Sequence, residues 1–297
     1  MRLVTHVHEG SERPGALVEH DGSTRVVDLA GVAATTLDIL TDAALAAAAR
    51  AAVDAADPAG LPALDDVRLA PPVRPGQVLA VGYNYEGHRG PARDGALPTV
   101  PNVFVKTRNA LSGPHDAVTL PRVPAEVDYE GEIAVVVGRR MQDVAEADVL
   151  DHVAGYTLYD DVTARDRQHA TSQWTLGKNF DGFGQLGPAV VTVDEAGALE
   201  GVELTVERDG AVVARATTAQ MVFPVARLLH LLSQVVPLEP GDVVATGSAA
   251  KTPEASASHV PMADGDAVTI TATGLGSLTT RFVAPGSSAP HARGGQR

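Results

Sequence analysis

The stretch Asp128-Tyr129-Glu130-Gly131-Glu132-Ile133-Ala134-Val135-Val136-Val137-Gly138 places acids where a buried strand is expected. The apolar run from Ile133 to Val137, closed by Gly138, reads as a strand. Side chains on a strand alternate faces, so Asp128, Glu130 and Glu132 project to one side. Carboxylates sharing a face repel, and water, a nearby Lys or Arg, or a hard cation taking oxygen ligands must compensate them. Taken alone, such acids are more often solvated, because Asp and Glu are usually exposed.

A second cluster, Tyr159-Asp160-Asp161-Val162-Thr163-Ala164-Arg165-Asp166, closes another strand pattern and puts Asp161 at its last position. If that end abuts Glu130 and Glu132, three carboxylates meet, a set that suits Mg²⁺ or Mn²⁺ with waters filling the remaining positions. Asp161 could equally cap a following helix, and Arg165 could be a helix-surface charge. Lys178 stands among glycines and aromatics in Trp174-Thr175-Leu176-Gly177-Lys178-Asn179-Phe180, near a cavity or simply in solvent. Thr246-Gly247-Ser248 follows a Pro-Gly-Asp turn, where hydroxyls and backbone N–H groups can hold an anion.

The elements that must position these groups belong to a chain of 297 residues, 44% hydrophobic and 20% charged, with a net charge of -14 and no cysteine. The charge and the lack of any basic run argue against nucleic acid and anionic membranes as partners. Without cysteine there is no disulfide, thiolate nucleophile or Cys-ligated metal. No apolar run reaches signal-peptide or membrane-spanning length, so a cytoplasmic protein is expected. A small N-terminal unit is expected over 1–72, with strands in Met1 to Val7 and Gly15 to Asp28 and a helix over Leu37 to Ala56. The stiff connector Pro71-Pro72-Val73-Arg74-Pro75-Gly76 marks the boundary. Short strands then recur over 73–284 with one further helix at Gln220 to Ser233, which predicts an α+β, mainly β core. The Gly, Ser, Pro and Ala tail, 285–297, is expected to be disordered.

Read together, Val127 to Arg139, Asp161-Val162-Thr163-Ala164-Arg165-Asp166, Gly177-Lys178-Asn179-Phe180-Asp181 and Leu238 to Ser248 closely resemble the fumarylacetoacetate hydrolase family. Gly82-Tyr83-Asn84-Tyr85-Glu86-Gly87-His88, Phe104-Val105-Lys106 and Gly274-Leu275-Gly276-Ser277-Leu278 extend the match, which covers about residues 76 to 283 in order. The resemblance implies a mixed β-sandwich roll, a homodimer, and a divalent metal (Mg²⁺ or Mn²⁺, with Ca²⁺ also compatible) on Glu130, Glu132 and Asp161. It implies a small anionic 2-oxo acid with a second carbonyl as substrate, cleaved at a C–C bond. His88, Lys178 and Arg165 take catalytic places by position, and Tyr83, Asn84, Lys106, Thr246 and Ser248 substrate-binding ones.

One departure changes the expectation. In hydrolytic members the loop His is followed three residues later by Glu, and the pair activates a water; here His88 is followed by Arg89-Gly90-Pro91. Pro91 supplies no carboxylate and disfavours helix, leaving Glu86, Asp94 or Glu254 as replacement partners. Decarboxylation or tautomerisation, which need no activated water, therefore stand beside hydrolysis, and a ligand-binding member without catalysis is the reading from another class.

Overall fold

The computed structural model describes residues 1–88 and 97–287. Two sheets face each other across the main core. The larger has eleven strands. Its path runs from Ser23–Asp28 through Ser11–His20, Arg2–His8, Gly184–Thr192, Val153–Asp160, Gly131–Val137, Val243–Ser248 and Val78–Gly82 to Asn102–Lys106 at the edge. The second has five: Ala211–Thr217, Glu203–Arg208, Ala267–Ala272, Gly276–Val283 and Val118–Thr119. This is an α+β fold dominated by strands, a β-sandwich roll.

The strand Gly131–Val137 explains why an apolar run sits beside acids. Ile133, Val135 and Val137 point into the core shared with Leu204, Val206, Val268 and Ile270 of the second sheet. Ala134 and Val136 point the other way, onto Val78, Ala80, Val243 and Ala245. A strand buried on both faces reads as continuously apolar, and each large aliphatic side chain so buried contributes about 1.5–3 kcal/mol. Gly131 is where this strand passes closest to the second sheet: a Cβ there would lie 2.6 Å from Val206 Cγ2 and 2.9 Å from Ile270 Cγ1.

The first 70 residues carry a core of their own, Leu3, Ala16, Val27, Leu29, Ile39 and Ala49, and join the large sheet through the pairings Arg2 with Val191 and Leu3 with Val190. The helix expected over Leu37 to Ala56 is two helices, Thr36–Thr41 and Ala43–Ala55, because the Asp42 side chain accepts from the N–H groups of Ala44 and Leu45 and starts the second. The helix expected from Gln220 begins only at Val225, after Pro224, and runs to Ser233. The strand expected over Ala189 to Val193 starts earlier, at Gly184. Ala211–Thr217 is a strand that the sequence reading missed; it pairs with Glu203–Arg208 across Asp209-Gly210, whose φ angles of 50° and 82° suit a tight hairpin. No helix among the described residues is long and apolar enough to cross a membrane. The tail expected to be disordered lies outside the described residues from 288 onward.

Within the N-terminal strands His6 is buried, its Nε2 3.7 Å from Asp28 Oδ1. Burial pulls its pKa below the ordinary 6.5, Asp28 only partly opposing this and His8 and Arg13 adding to it. The folded state therefore resists protonation. Stability is intact above the ordinary histidine range and falls as pH drops toward the folded value, because the unfolded chain takes up the proton first. His6→Gln is expected to flatten this loss, read as a smaller shift in urea midpoint between about pH 7 and 5 than the parent shows.

Candidate active site

Backbone hydrogen bonds bring the acids together before any side chain is considered. Gly131 stands opposite Asp160 in the ladder. Glu130 N donates to Asp160 Oδ1 at 3.0 Å, and Asp161 N donates to Glu130 O at 2.9 Å. Two acids from adjacent strand ends are thus held as one unit. Glu132, opposite Ser248 in register, accepts from Gly247 N through Oε2 at 2.8 Å. Gly247 adopts φ +102°, and a Cβ there would lie 2.9 Å from Asn84 Cβ and Val81 O, so the turn that offers this N–H excludes a side chain.

Carboxylate oxygens of Glu130, Glu132 and Asp161 lie within 4.8 Å of one another. Three cations attend two of these acids. Lys178 Nζ bridges Glu130 Oε2 at 2.8 Å and Asp161 Oδ2 at 2.5 Å. Lys106 Nζ stands 2.6 Å from Asp161 Oδ1, and Arg165 Nη1 donates to Glu130 Oε1 at 2.5 Å. Glu132 has no Lys, Arg or His within ion-pair distance among the described residues.

The electrostatics follow from these partners. Burial pushes the Glu132 carboxyl well above its usual range, and the charges on Asp161 and Glu130 push it further. Burial acts upward on Glu130 too, but Lys178, Arg165 and His88 outweigh it and hold that group low. Lys178 is driven down by burial yet ends raised, because Asp161 and Glu130 attract its charge. Lys106, fully buried, ends lowered despite Asp161. Asp160, the last residue of the strand Val153–Asp160, is pushed up to about 6, chiefly by burial. Hard oxygen ligands, one of them without an ion pair among the described residues, fit a divalent cation, whose charge would relieve the crowding.

Asp128 was expected on a common face with the two glutamates. The strand is interrupted at Tyr129 and Glu130, and Asp128 lies in the short strand Val127–Asp128 paired with Thr163–Ala164. Its Oδ2 accepts from Arg165 Nε at 2.8 Å and its Oδ1 from Lys251 Nζ at 2.6 Å. Asp161 follows the strand's last residue rather than closing it, and its side chain goes to the two lysines instead of capping the helix Arg165–Gln168.

The other sequence-selected residues fall into two groups. His88 and Ser248 line a cavity of about 480 Å³ with Glu130 and Arg165. His88 Nδ1 lies 2.8 Å from the Ser248 backbone oxygen, and Tyr83 packs edge-on against His88 and Trp174, with centroids 5.8 and 5.4 Å apart. Behind them, Asn84 Nδ2 donates to Phe223 O and Thr246 O, while its Oδ1 accepts from Phe223 N. Thr246 Oγ1 donates to Ile133 O, and Lys106 Nζ to Phe183 O. All three are buried and brace the site from inside. Sequence reasoning assigned no role to Lys251, the sole cation in the segment after Thr246-Gly247-Ser248, or to Gln168, which accepts from Arg165. Pro91 and Asp94 lie outside the described residues. Glu86 and Glu254 are both exposed, and it is the Ser248 carbonyl that meets His88 Nδ1.

Residues 77–283 match the fumarylacetoacetate (FAA) hydrolase C-terminal family. A Burkholderia ambifaria protein named as a hydrolase is 40% identical over 256 residues, 84% of this chain and 86% of that one. Among solved structures, a maleylpyruvate hydrolase from Sphingobium sp. in complex with manganese(II) and pyruvate is 27% identical with a TM-score of 0.78, covering 96% of this chain and 99% of the other. A 5-carboxymethyl-2-hydroxymuconate delta-isomerase from Mycobacterium smegmatis is 30% identical with a TM-score of 0.74, covering 96% and 100%. With the fold, the acid triad and a match that spans more than half of its length, the chain belongs to the fumarylacetoacetate hydrolase family.

Proposed function

We propose that this chain is a divalent-metal-dependent hydrolase that cleaves a C–C bond in a small 2-oxo or β-diketo acid of the acylpyruvate kind. The observation that carries this reading is the convergence of Glu130, Glu132 and Asp161 to within 4.8 Å, beside Lys178, with Glu130 opening onto the cavity that also presents His88. Mg²⁺ or Mn²⁺ suits these ligands, and Ca²⁺ accepts the same oxygens. When bound, the cation polarises the 2-oxo group and stabilises negative charge as the C–C bond breaks.

The chain's own residues supply the rest. A carbonyl oxygen can only accept, so the 2.8 Å contact with Ser248 O puts the proton on His88 Nδ1 and leaves Nε2 as the basic nitrogen. Nε2 takes a proton from a water that adds to the distal carbonyl. The bond from that carbon to the adjacent CH₂ then breaks, and its electron pair passes to the pyruvate enolate, whose charge the Lys178 ammonium stabilises. A proton returned to the CH₂ carbon gives pyruvate. The acyl part leaves as a carboxylate, and water and acylpyruvate are consumed one for one.

A second reading, decarboxylase or tautomerase, is favoured by one feature. The partner of His88 Nδ1 is a neutral carbonyl, which raises the basicity of the ring less than a carboxylate would. Similarity to the M. smegmatis isomerase supports the same reading. Incubation with acylpyruvates and with an oxaloacetate-like acid in ¹⁸O-labelled D₂O with manganese separates the two: hydrolysis labels the released carboxylate with ¹⁸O, whereas decarboxylation releases CO₂ and tautomerisation incorporates deuterium at C3 faster than the enzyme-free control. His88→Gln is expected to lower hydrolysis by roughly 10²–10⁴-fold. Absence of cleavage, CO₂ release and exchange together would leave the ligand-binding reading.

A further inference from the structure

Neither Tyr83 nor Trp174 lines the cavity that His88 faces, yet their rings join His88 to the rigid part of the site. From the imidazole the rings follow one another at contact distance: His88 to Tyr83 at 5.8 Å, Tyr83 to Trp174 at 5.4 Å and Trp174 to Phe104 at 5.2 Å, with interplanar angles of 88°, 80° and 67°. Edge-on pairs at these separations are attractive and directional. Lys178 Nζ ends the series, 4.7 Å from the Phe104 centroid.

The far end of this series is fixed. Trp174 opens the helix Thr175–Lys178, its carbonyl accepting from Gly177 N at 2.9 Å and Lys178 N at 3.2 Å. Asn179, at the other end of that helix, donates to Val105 O and accepts from Thr107 N, which ties the helix to the strand Asn102–Lys106 and its extension. Gly82 packs against the indole so closely that a Cβ there would lie 2.4 Å from Trp174 Cζ3. The near end is held more lightly. Two carboxylates grip the Lys178 head, whereas the His88 imidazole has, among the described residues, one hydrogen-bond contact, from Nδ1 to Ser248 O, and the Tyr83 ring. A single hydrogen bond fixes a point and lets the ring swing about it; a second ring beside it removes that freedom. Tyr83 itself takes φ +61°, a left-handed backbone that a bulky residue keeps only where its surroundings hold it.

We propose that Tyr83 and Trp174 are positioning residues: they form an aromatic wall, standing on the helix of Lys178, that fixes the plane of the His88 imidazole and aims Nε2 at the proton it takes. The inference rests on the reading of His88 as the base. The effect falls on His88 rather than on Lys178 or the acids, because charge-assisted hydrogen bonds hold Lys178 without the rings, while a misdirected imidazole loses proton transfer directly. Tyr83, given a substrate-binding place by the family resemblance, acts through His88 instead.

Steady-state turnover of acetylpyruvate by the full chain at saturating manganese tests this. Tyr83→Ala and Trp174→Ala are expected to lower kcat by about 10- to 100-fold, with KM and the calorimetric manganese affinity within about threefold of the parent. Tyr83→Phe and Trp174→Phe keep a ring and are expected to recover most of the loss. In a His88→Gln background neither Ala substitution is expected to cost more than about twofold further, since residues that act as a unit are not additive. Trp174 is the chain's single tryptophan, so its emission reads the wall without turnover: unmoved by His88→Gln and shifted to longer wavelength by Tyr83→Ala. Full additivity with His88→Gln overturns the proposal, as does a manganese affinity that falls with turnover, a parental kcat in either Ala variant, or an emission that moves with His88→Gln and not with Tyr83→Ala. Should Trp174→Ala not fold, Tyr83→Ala decides alone. A crippled His88→Gln on which the Ala losses are additive removes this inference only. A parental kcat in His88→Gln, or a parent without turnover, removes the reading of His88 as the base and this inference with it.

Discussion

Glu132→Gln is expected to leave the metal-free protein as stable as the parent, within about 1 kcal/mol, while weakening manganese binding by at least about 100-fold. The asymmetry comes from the partners. Glu132 carries no ion pair among the described residues, and its hydrogen bond from Gly247 N can be accepted equally by the amide oxygen of Gln. Burial and the neighbouring acids already disfavour its charge. As the metal ligand proposed above, Glu132 would contribute to binding and little to folding. Asp161→Asn makes the contrast. It takes the paired charge from buried Lys106, 2.6 Å away, while Lys178 keeps Glu130, and a stranded buried charge costs about 3–5 kcal/mol. Thermal melts followed by circular dichroism, with chelator and with manganese, read both effects. An Asp161→Asn protein as stable as Glu132→Gln under chelator would refute this division of roles.

Lys178→Met is expected to reduce kcat/KM by roughly 10²–10³-fold, the scale of removing one preorganised donor from developing charge. Its side chain is 1% exposed, bridges Glu130 and Asp161, and lies 4.7 Å from the Phe104 ring centroid. Gly177 beside it leaves no slack, since a Cβ there would sit 2.5 Å from Gln168 N. Lys178→Arg is therefore not expected to rescue activity. A second readout separates chemistry from mere support of the ligands. With the ammonium gone, the triad becomes more negative, so manganese affinity is expected to hold or rise while turnover falls. If affinity and turnover collapse together, Lys178 acts only as a brace for the acids.

Spacing alone offered the triad as one possibility beside solvated acids and a helix cap, and the resemblance of its segments to the family is what assembled it. An E-x-E ahead of an apolar run fixes two acids by spacing, and Asp161 lies one residue past the end of a neighbouring strand. Lys178 and Arg165 came with their motifs. What the sequence could not display is contact carried by groups without residue identity or by distant segments. The Ser248 carbonyl on His88 spans 160 positions and belongs to the backbone, which every residue shares. The Lys251 to Asp128 pair spans 123 positions. The resemblance implied substrate-binding places for Asn84 and Thr246; in the fold the Asn84 amide bonds to the Phe223 backbone and the Thr246 carbonyl, and the Thr246 hydroxyl donates to Ile133 O. In the fold, hydrophobic alternation located most strands, and the errors fell where a single side chain or ring sets a boundary: Asp42, Pro224 and the Asp209-Gly210 hairpin.

The glycine between the two glutamates has a consequence for engineering. Because a Cβ at Gly131 would collide with Val206 and Ile270, the separation of the flanking acids is set from the opposite sheet rather than by the acids themselves. Selection for a different ion or a wider mouth would therefore find little by varying Glu130 and Glu132 alone. Positions 206 and 270, the first of which also lines the cavity, are the adjustable backstop, and a library that changes the acids should change those two with them.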